Sequence, residues 1–296
     1  MKVNLKSSSF TRNIRKAAYF FLIPSLIYYV TVWVYPLFRN IQISFLKYNF
    51  IDAPKFVMFD NYINLFKDKY FWNALKNTFA YTGIVVPILL ISAFLVALLL
   101  NEIARGRRFF STIIFITTSF SMVAVAIIFR LMFVTEFGVI NMWLVNIFGM
   151  QPVGWLTDSR IALYTVAITG IWKELGWFMM IYLAAIQNVD VTLIEAAKID
   201  GANAVQIIKN VTIPQLKPVI LLTTIVAIIL ELQVFAQSYI MTGGGPSRST
   251  ETIVYYIYKA AFRSFDAGYA SAMSLILFII IFIITVIQLR VFRTEN

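Results

Sequence analysis

Cysteine and histidine are both missing from this sequence of 296 residues. Without cysteine there is no disulfide scaffold and no thiolate metal site. Without histidine the commonest general base and metal ligand is gone. Chemistry by Asp, Glu, Lys or Ser stays open, so the case for an enzyme is weakened rather than closed. Charge is scarce as well. Charged residues make up 13% of the chain and hydrophobic ones 60%, too little charge to cover a water-soluble surface. The net charge of +11 raises the question of nucleic acid. Its placement argues otherwise. Lys2, Lys6, Arg12, Arg15 and Lys16 precede the first apolar run with no acid among them, and Arg105, Arg107 and Arg108 sit between two later runs. That is topogenic charge, not one basic face.

What the sequence does have is long apolar runs. Six can cross about 30 Å of hydrocarbon as helices of roughly 20 residues. They lie at Ala17–Tyr35, Thr78–Leu100, Phe109–Phe129, Ile161–Leu183, Lys217–Phe235 and Ala270–Leu289. One such run could be a buried helix of a soluble protein, but six could not share one soluble core. The first run follows a basic tail, as in a signal peptide. It contains Pro24 and Tyr28, lacks a small-residue cleavage site, and is expected to be retained.

An even number of spans puts both termini on one side, and the basic tail makes that side the cytoplasm. The connection "EIARGRR" and the segment 184–216 then face the cytoplasm, with Arg290 and Arg293 at the tail. The loop Pro36–Asn77 faces outward. Its six Lys/Arg against three Asp weaken the inside bias without reversing it. Within it, "NYINLFKDKYFWNAL" reads as interfacial helix, with Tyr62, Phe66, Tyr70 and Trp72 at membrane level. No repeat and no separate soluble domain is evident, so residues 1–296 are expected to form a single transmembrane domain.

The segment "EAAKIDGANAVQIIKNVTIP", 195–214, is wet yet orderly. "IEAAKID" has good helix formers, and Gly201 can take the left-handed conformation that ends a helix. Asn203 with Gln206 resembles a capping box. Val205, Ile208 and Val211 recur every three residues beside Ala204 and Ile207, opposite Gln206, Lys209 and Asn210. Pro214 is expected to stop this second helix, and Pro218 to open the next span. A helix resting on lipid would carry more Lys and Arg. Ala196, Ala197 and Ala202 offer a smooth contact better suited to a protein partner.

The run "EAA" at 195–197, Gly201, Val211 and Ile213–Pro214 resembles the EAA loop of permease subunits of binding-protein-dependent ABC importers. "NYINLF", "FGVIN", "GWLTD", "IWKELGWFMM", "YIMTGGGP", "YYIYKAAF" and "GYASAMS" extend the likeness along nearly the whole chain. The likeness is to the carbohydrate branch, in particular maltose-type permeases of the first-subunit kind. It implies an all-α membrane protein with six transmembrane helices of the type I importer permease fold. It also implies a bacterial or archaeal inner-membrane location, a coupling segment at about 190–214, and no catalysis by the chain itself.

The resemblance assigns Glu195, Ala196, Ala197 and Gly201 to docking on an ATPase dimer, which would hold ATP and Mg. Val211, Ile213 and Pro214 would anchor the segment to the membrane part. The other implied partners are a second permease subunit, an extracellular or periplasmic solute-binding protein, and membrane lipid. No cofactor, metal or nucleic acid is implied. The sequence departs from the pattern at Asp190, Thr117 and Met122, where the family usually has proline, and at Ala236, where aspartate is common.

An importer needs a polar path, and polar groups within spans are costly unless paired or wet. Lys173 and Glu174 lie mid-span. As neighbours they point about 100° apart and are not expected simply to pair with each other. Gly176 permits a close approach. Gln233 and Gln237, four apart near Glu231, are expected to share a face and to exchange hydrogen bonds with sugar hydroxyls. Trp172, Trp177 or Phe235 could stack on a sugar ring. "TGGGPSRST" reads as a sharp outer turn, suited to meeting the binding protein or shaping an outer gate. It is not a phosphate loop, because it lacks a Gly-Lys-Ser/Thr ending and a preceding strand. The expected solute is a sugar or oligosaccharide. A glycerol phosphate, glycerophosphodiester or polyol is the alternative within transport, and a stand-alone secondary transporter the alternative outside it.

Overall fold

The computed structural model describes the backbone over residues 9–103 and 105–293, and side chains over 18–103 and 105–291. Lys2 and Lys6 lie outside the described residues, as do the side chains of Arg12, Arg15, Lys16 and Arg293. In chain order the elements are α1 (Ser9–Tyr29), α2 (Tyr35–Ser44), strands β1 (Leu46–Lys47) and β2 (Lys55–Phe56), α3 (Asp60–Lys67), α4 (Lys69–Glu102) and α5 (Arg107–Phe115). Then come α6 (Met122–Met132), α7 (Val139–Phe148), α8 (Ala162–Gln187), α9 (Val191–Ile199) and α10 (Ala204–Ile207). The chain ends with α11 (Ile213–Glu231), α12 (Ile253–Phe262) and α13 (Ala267–Arg293).

Among the described residues five stretches are long and apolar enough to cross a membrane: Ala18–Ser44, Lys69–Glu102, Ala162–Gln187, Ala204–Glu231 and Ala267–Val291. A sixth is the pair Arg107–Ser119 and Met122–Met132, bent by 97°. The expected continuous third span is therefore corrected to a broken one. Phe120 and Ser121 are extended, with ψ of 143° and 134°. The stretch "TTSFS" supplies hydroxyls that bond back to the helix. Thr117 Oγ1 donates to Ile114 O at 2.9 Å and Thr118 Oγ1 to Phe115 O at 2.7 Å. Such bonds compete with the ladder and favour a break.

Pro214, expected to end a helix, does not, and the loop expected to begin at Pro36 is still helical up to Ser44. Helix continues from Ala18 to Ser44 through Pro36, and from Ala204 to Glu231 through Pro214 and Pro218. In both cases a π-helical turn, Val30–Val34 or Ile208–Thr212, precedes the proline. Tyr35 N–H donates to Val30 O and Ile213 N–H to Ile208 O, five residues back. The wider turn moves the carbonyl four residues before the proline away from its ring, and so removes the clash that stops a helix. The second span also starts earlier than expected, at Lys69, because Asp68 caps it by accepting from Tyr70 N–H at 2.8 Å.

The described contacts fall into two compact units. The first holds residues up to Leu65 with Ala260–Leu275. In it the β1–β2 hairpin is pinned from two sides. Asn61 Nδ2 donates to Ser44 O and Leu46 O at 2.8 and 3.0 Å, and Ala267 N–H donates to Tyr48 O at 2.8 Å. Gly268 lies so close to Leu46 O that a Cβ there would collide with it.

The second unit holds Phe66–Lys259 and residues from Ile276 on. Its core is α4 packed along α8. Tyr81, Val85, Leu89, Ala93 and Ala97 recur every fourth residue on α4 and are all fully buried. The other face of α4, with Ile91 and Leu99, stays exposed and apolar, as lipid contact requires. Small residues allow the close crossing. α11 is fastened to α8 by the Tyr182 and Thr223 hydroxyls at 2.8 Å. The motifs "FGVIN" and "GWLTD" meet at Asn141, only 3% exposed. Its amide donates to Thr135 O and Val153 O and accepts from Val153 N–H and Trp155 Nε1, all within 3.1 Å. That uses its full bonding capacity.

Candidate functional site

Two regions carry the residues that the sequence singled out. The first is the elbow between α8 and α11. Val189 and Leu216 are buried at its base, and Asp190 N–H donates to Gln215 Oε1 at 3.2 Å. Asp190, unexplained in sequence terms, is the N-cap of α9. Its carboxylate accepts from the Thr192 hydroxyl at 2.8 Å and from Thr192 N–H at 2.9 Å, and these bonds hold its pKa below the ordinary carboxylate value. At the other end Gly201 has φ +80°, as expected. Gly201 N–H donates to Lys198 O at 3.1 Å and Ala202 N–H to Ala197 O at 2.9 Å. This paired pattern is a Schellman motif. The capping box forms too, with Asn203 Oδ1 accepting from Gln206 N–H at 2.9 Å and Gln206 Oε1 from Asn203 N–H at 2.7 Å. Both ends of the bend are therefore locked, one by backbone hydrogen bonds and the other by side chains bonded to backbone N–H groups.

Glu195 and Ala196 are exposed on α9, and Ala197 is half-buried. Val211 and Ile213 are half-buried and Pro214 is exposed. Val205, on the assigned apolar face, is 72% exposed, and Ile199 is 86% exposed. Ile194 alone on α9 packs against the core. The elbow thus presents Val191, Leu193, Ile199 and Val205 outward.

The second region is a cleft of about 270 Å³ where the fifth span breaks. α11 ends at Glu231, and the chain unwinds before a π-helical turn at Ser238–Thr242. Gln233 and Gln237 therefore do not share a helical face, contrary to expectation. Both nevertheless line the cleft, together with Glu174, Glu231 and Phe235. Gln233 Nε2 donates to Ile229 O at 2.8 Å. Gln237 is only 9% exposed, and its carboxamide has no hydrogen-bond partner among the described residues. Phe235 stacks on Tyr239 with centroids 5.3 Å apart and planes 11° from parallel.

Lys173 and Glu174 do pair, against the expectation from their spacing. Nζ lies 3.5 Å from Oε1. The ammonium also donates to Thr118 O at 3.0 Å. It therefore sits at the carbonyl end of the first half of the broken third span, where cations are favoured. Gly176 approaches the same half-helix, so that a Cβ would collide with Ile114 O. Lys173 and Gly176 hold the break in place. Trp172 lies elsewhere, against Phe129 at 5.3 Å in a separate apolar pocket with Phe120 and Ile128.

Sequence reading missed what fixes the unwound segment. The loop "TGGGPSRST" turns sharply through Gly243 and Gly244, both at positive φ. It returns so that Thr252 Oγ1 donates to Val234 O at 2.8 Å, satisfying a carbonyl freed by the break. Buried Glu251 joins Lys259 at 2.6 Å and Arg248 at 3.2 Å. The Arg248 guanidinium lies 3.6 Å over the Tyr70 ring, and Asn77 Nδ2 donates to Arg248 O at 2.8 Å.

This geometry has clear relatives. Residues 93–294 match the family described as binding-protein-dependent transport system inner membrane component. The lactose transport permease LacF of Rhizobium radiobacter is 36% identical, with 98% of each chain covered. The trehalose/maltose transport permease MalF of Thermococcus litoralis is 30% identical, with 94% of each covered. Among solved structures, a bacterial ABC transporter that imports the acidic polysaccharide alginate is similar at a TM-score of 0.84. It is 25% identical, with 96% of this chain and 98% of that one covered. These matches set aside a stand-alone secondary transporter and an enzyme. The chain belongs to the binding-protein-dependent transport system inner membrane components, the permeases of ABC importers, with the mostly helical type I fold.

Proposed function

We propose that this permease imports a sugar or oligosaccharide across the cell membrane as half of a two-subunit pathway, with both termini cytoplasmic. The solute class is supported by relatives named for lactose and for trehalose/maltose. It is also supported by the cleft, where carboxamides, carboxyls and an aromatic ring meet, the mixture that sugar hydroxyls and ring faces need. The residues 1–296 act as one permease domain, and the second subunit supplies the facing wall.

Energy enters through the elbow at about 190–214. The observation that carries this reading is a bend locked at both ends that still exposes Ile199 and Val205. Glu195, Ala196, Ala197 and Gly201 dock on an ATPase dimer, where ATP and Mg are held. Val211, Ile213 and Pro214 pass the motion into α11, because one unbroken helix runs from Ala204 to Glu231 and ends at the cleft. Displacement of the elbow is therefore displacement of the cleft wall, an alternating-access step. The test is reconstitution in liposomes of this chain with its companion permease, ATPase and binding protein. Uptake of labelled maltose or lactose is expected only with ATP and all four components. Uptake by this chain alone, without ATP, would overturn the reading.

A further inference from the structure

The wall of the cleft also says what charge its solute can carry. We infer that the solute is a carbohydrate without negative charge, and that Glu174 is a residue that excludes anions. The inference rests on the sugar-importer reading and narrows it.

The cleft has two carboxyl groups, from Glu174 and Glu231, and two carboxamides, from Gln233 and Gln237. No Lys or Arg lies among its described lining residues. The nearest cation on α8 is Lys173, and it is already engaged. Its side chain is 9% exposed and its ammonium lies between Thr118 O and Glu174 Oε1. It does not line the cleft, and the carboxylate it pairs with is that of Glu174. Glu174 is the accessible one, with its side chain 30% exposed. A phosphate, sulfonate or uronate placed against this wall would meet acceptor oxygens and the Glu174 carboxylate, and no ammonium or guanidinium of this chain lines it. Burial sharpens the penalty, because an unpaired charge out of water is costly.

Hydroxyl groups meet no such barrier. Each is a donor to a carboxylate or amide oxygen and an acceptor from an amide N–H. Gln237 is the second, independent sign of a ligand. It is nine-tenths buried, lines the cleft, and its carboxamide has no hydrogen-bond partner among the described residues, which leaves it to the contents of the cleft. Phe235, stacked on Tyr239, offers a flat apolar face beside it. An uncharged sugar ring matches this set of donors, acceptors and ring face.

The test uses the complete four-component importer in liposomes and matched probes: maltose and lactose against maltobionate, lactobionate and glycerol 3-phosphate. Each probe's affinity for the binding protein is measured in parallel, and uptake is compared at equal loading. ATP-driven uptake of a neutral probe is expected, with any acid that loads the binding protein carried at least ~10-fold more slowly. An acid refused by the binding protein is also the expected result for an importer of uncharged solutes. Glu174→Gln is expected to narrow the gap between neutral probe and acid, since Lys173 keeps its bond to Thr118 O. Acid carried as fast as its neutral counterpart, or a gap unchanged in Glu174→Gln, would overturn the inference while leaving the sugar reading intact. No ATP-driven uptake of any probe would instead overturn the sugar reading itself.

Discussion

Replacing Gly201 isolates the energetic role of the elbow, because the site has space but the wrong dihedral for a side chain. A Cβ at Gly201 would meet no heavy atom within 4 Å. The cost of a side chain is therefore conformational. Its φ of +80° lies in the left-handed region, where an L-residue loses about 1–2 kcal/mol relative to glycine. A β-branched residue loses more than alanine, and asparagine less. If the chain escapes by leaving that region, it forfeits the bonds from Gly201 N–H to Lys198 O and from Ala202 N–H to Ala197 O. Those are worth roughly 0.5–1.5 kcal/mol each. Either route costs about 1–3 kcal/mol, small against the ~5–15 kcal/mol that stabilises a domain. Gly201→Val should fold and insert, yet its elbow should occupy the docking geometry about 10-fold less often or lower, since 1.4 kcal/mol is a factor of ten. The assay is uptake per ATP hydrolysed in liposomes. The expected order of coupling is glycine, then asparagine, then alanine, then valine. Equal coupling in Gly201→Val and the parent would refute the reasoning. So would Gly201→Asn as damaging as Gly201→Val, since that would make bulk rather than dihedral the cause.

Further expectations test the parts that hold the cleft and the elbow. Asn141→Leu removes four hydrogen bonds at once and should cost about 2–4 kcal/mol, read as a lower Tm of the detergent-solubilised complex. Thr252→Val leaves Val234 O unsatisfied and should cost about 1–3 kcal/mol, with faster hydrogen exchange confined to 232–236. Asp190→Ala should fray the first turn of α9, seen as faster exchange at Thr192 and Leu193, whereas Asp190→Asn keeps an acceptor and should fray less. The same turn has a defined acid response. The folded pKa of Asp190 lies below its free value, so its stabilisation is in place above the free carboxylate pKa and is lost as pH falls through the folded one. Protection at Thr192 that is unchanged on acidification below about pH 3 would contradict this.

The unbroken spans were legible in sequence because their signal is local. "SLILFIIIFIITVIQL" has one continuous apolar solution, and α13 follows it closely. The elbow was legible for a similar reason, since Gly201, Asn203 and Gln206 act on neighbours within five residues. The errors arose where a local rule met a distant partner or a change of helical register. Pro214 was expected to stop a helix and Pro36 to open a loop, but a π-turn just ahead of each absorbs the clash. Composition alone does not announce that turn.

The two breaks inside spans have a common physical origin, and their uncapped polar groups are the part a sequence hides. "TTSFS" in the third span and "ELQVFAQS" in the fifth both place hydroxyl, amide or carboxyl groups inside otherwise apolar runs. Such groups are tolerated in hydrocarbon only where non-helical backbone is buried in protein or lines a wet cavity. Each break has its own clasp from far along the chain: Lys173 on Thr118 O, and Thr252 on Val234 O. The first clasp belongs to the same residue pair whose other member, Glu174, lines the cleft. The charge that makes the wall unfavourable to anions is thus tied directly to the charge that holds the third span bent. Lys173→Met should therefore do two things at once. It should weaken the complex by about 1–3 kcal/mol through the orphaned carbonyl, and it should sharpen discrimination against lactobionate, because Glu174 loses its neutralising partner. Loss of stability with unchanged discrimination would show that the two halves of the pair act separately.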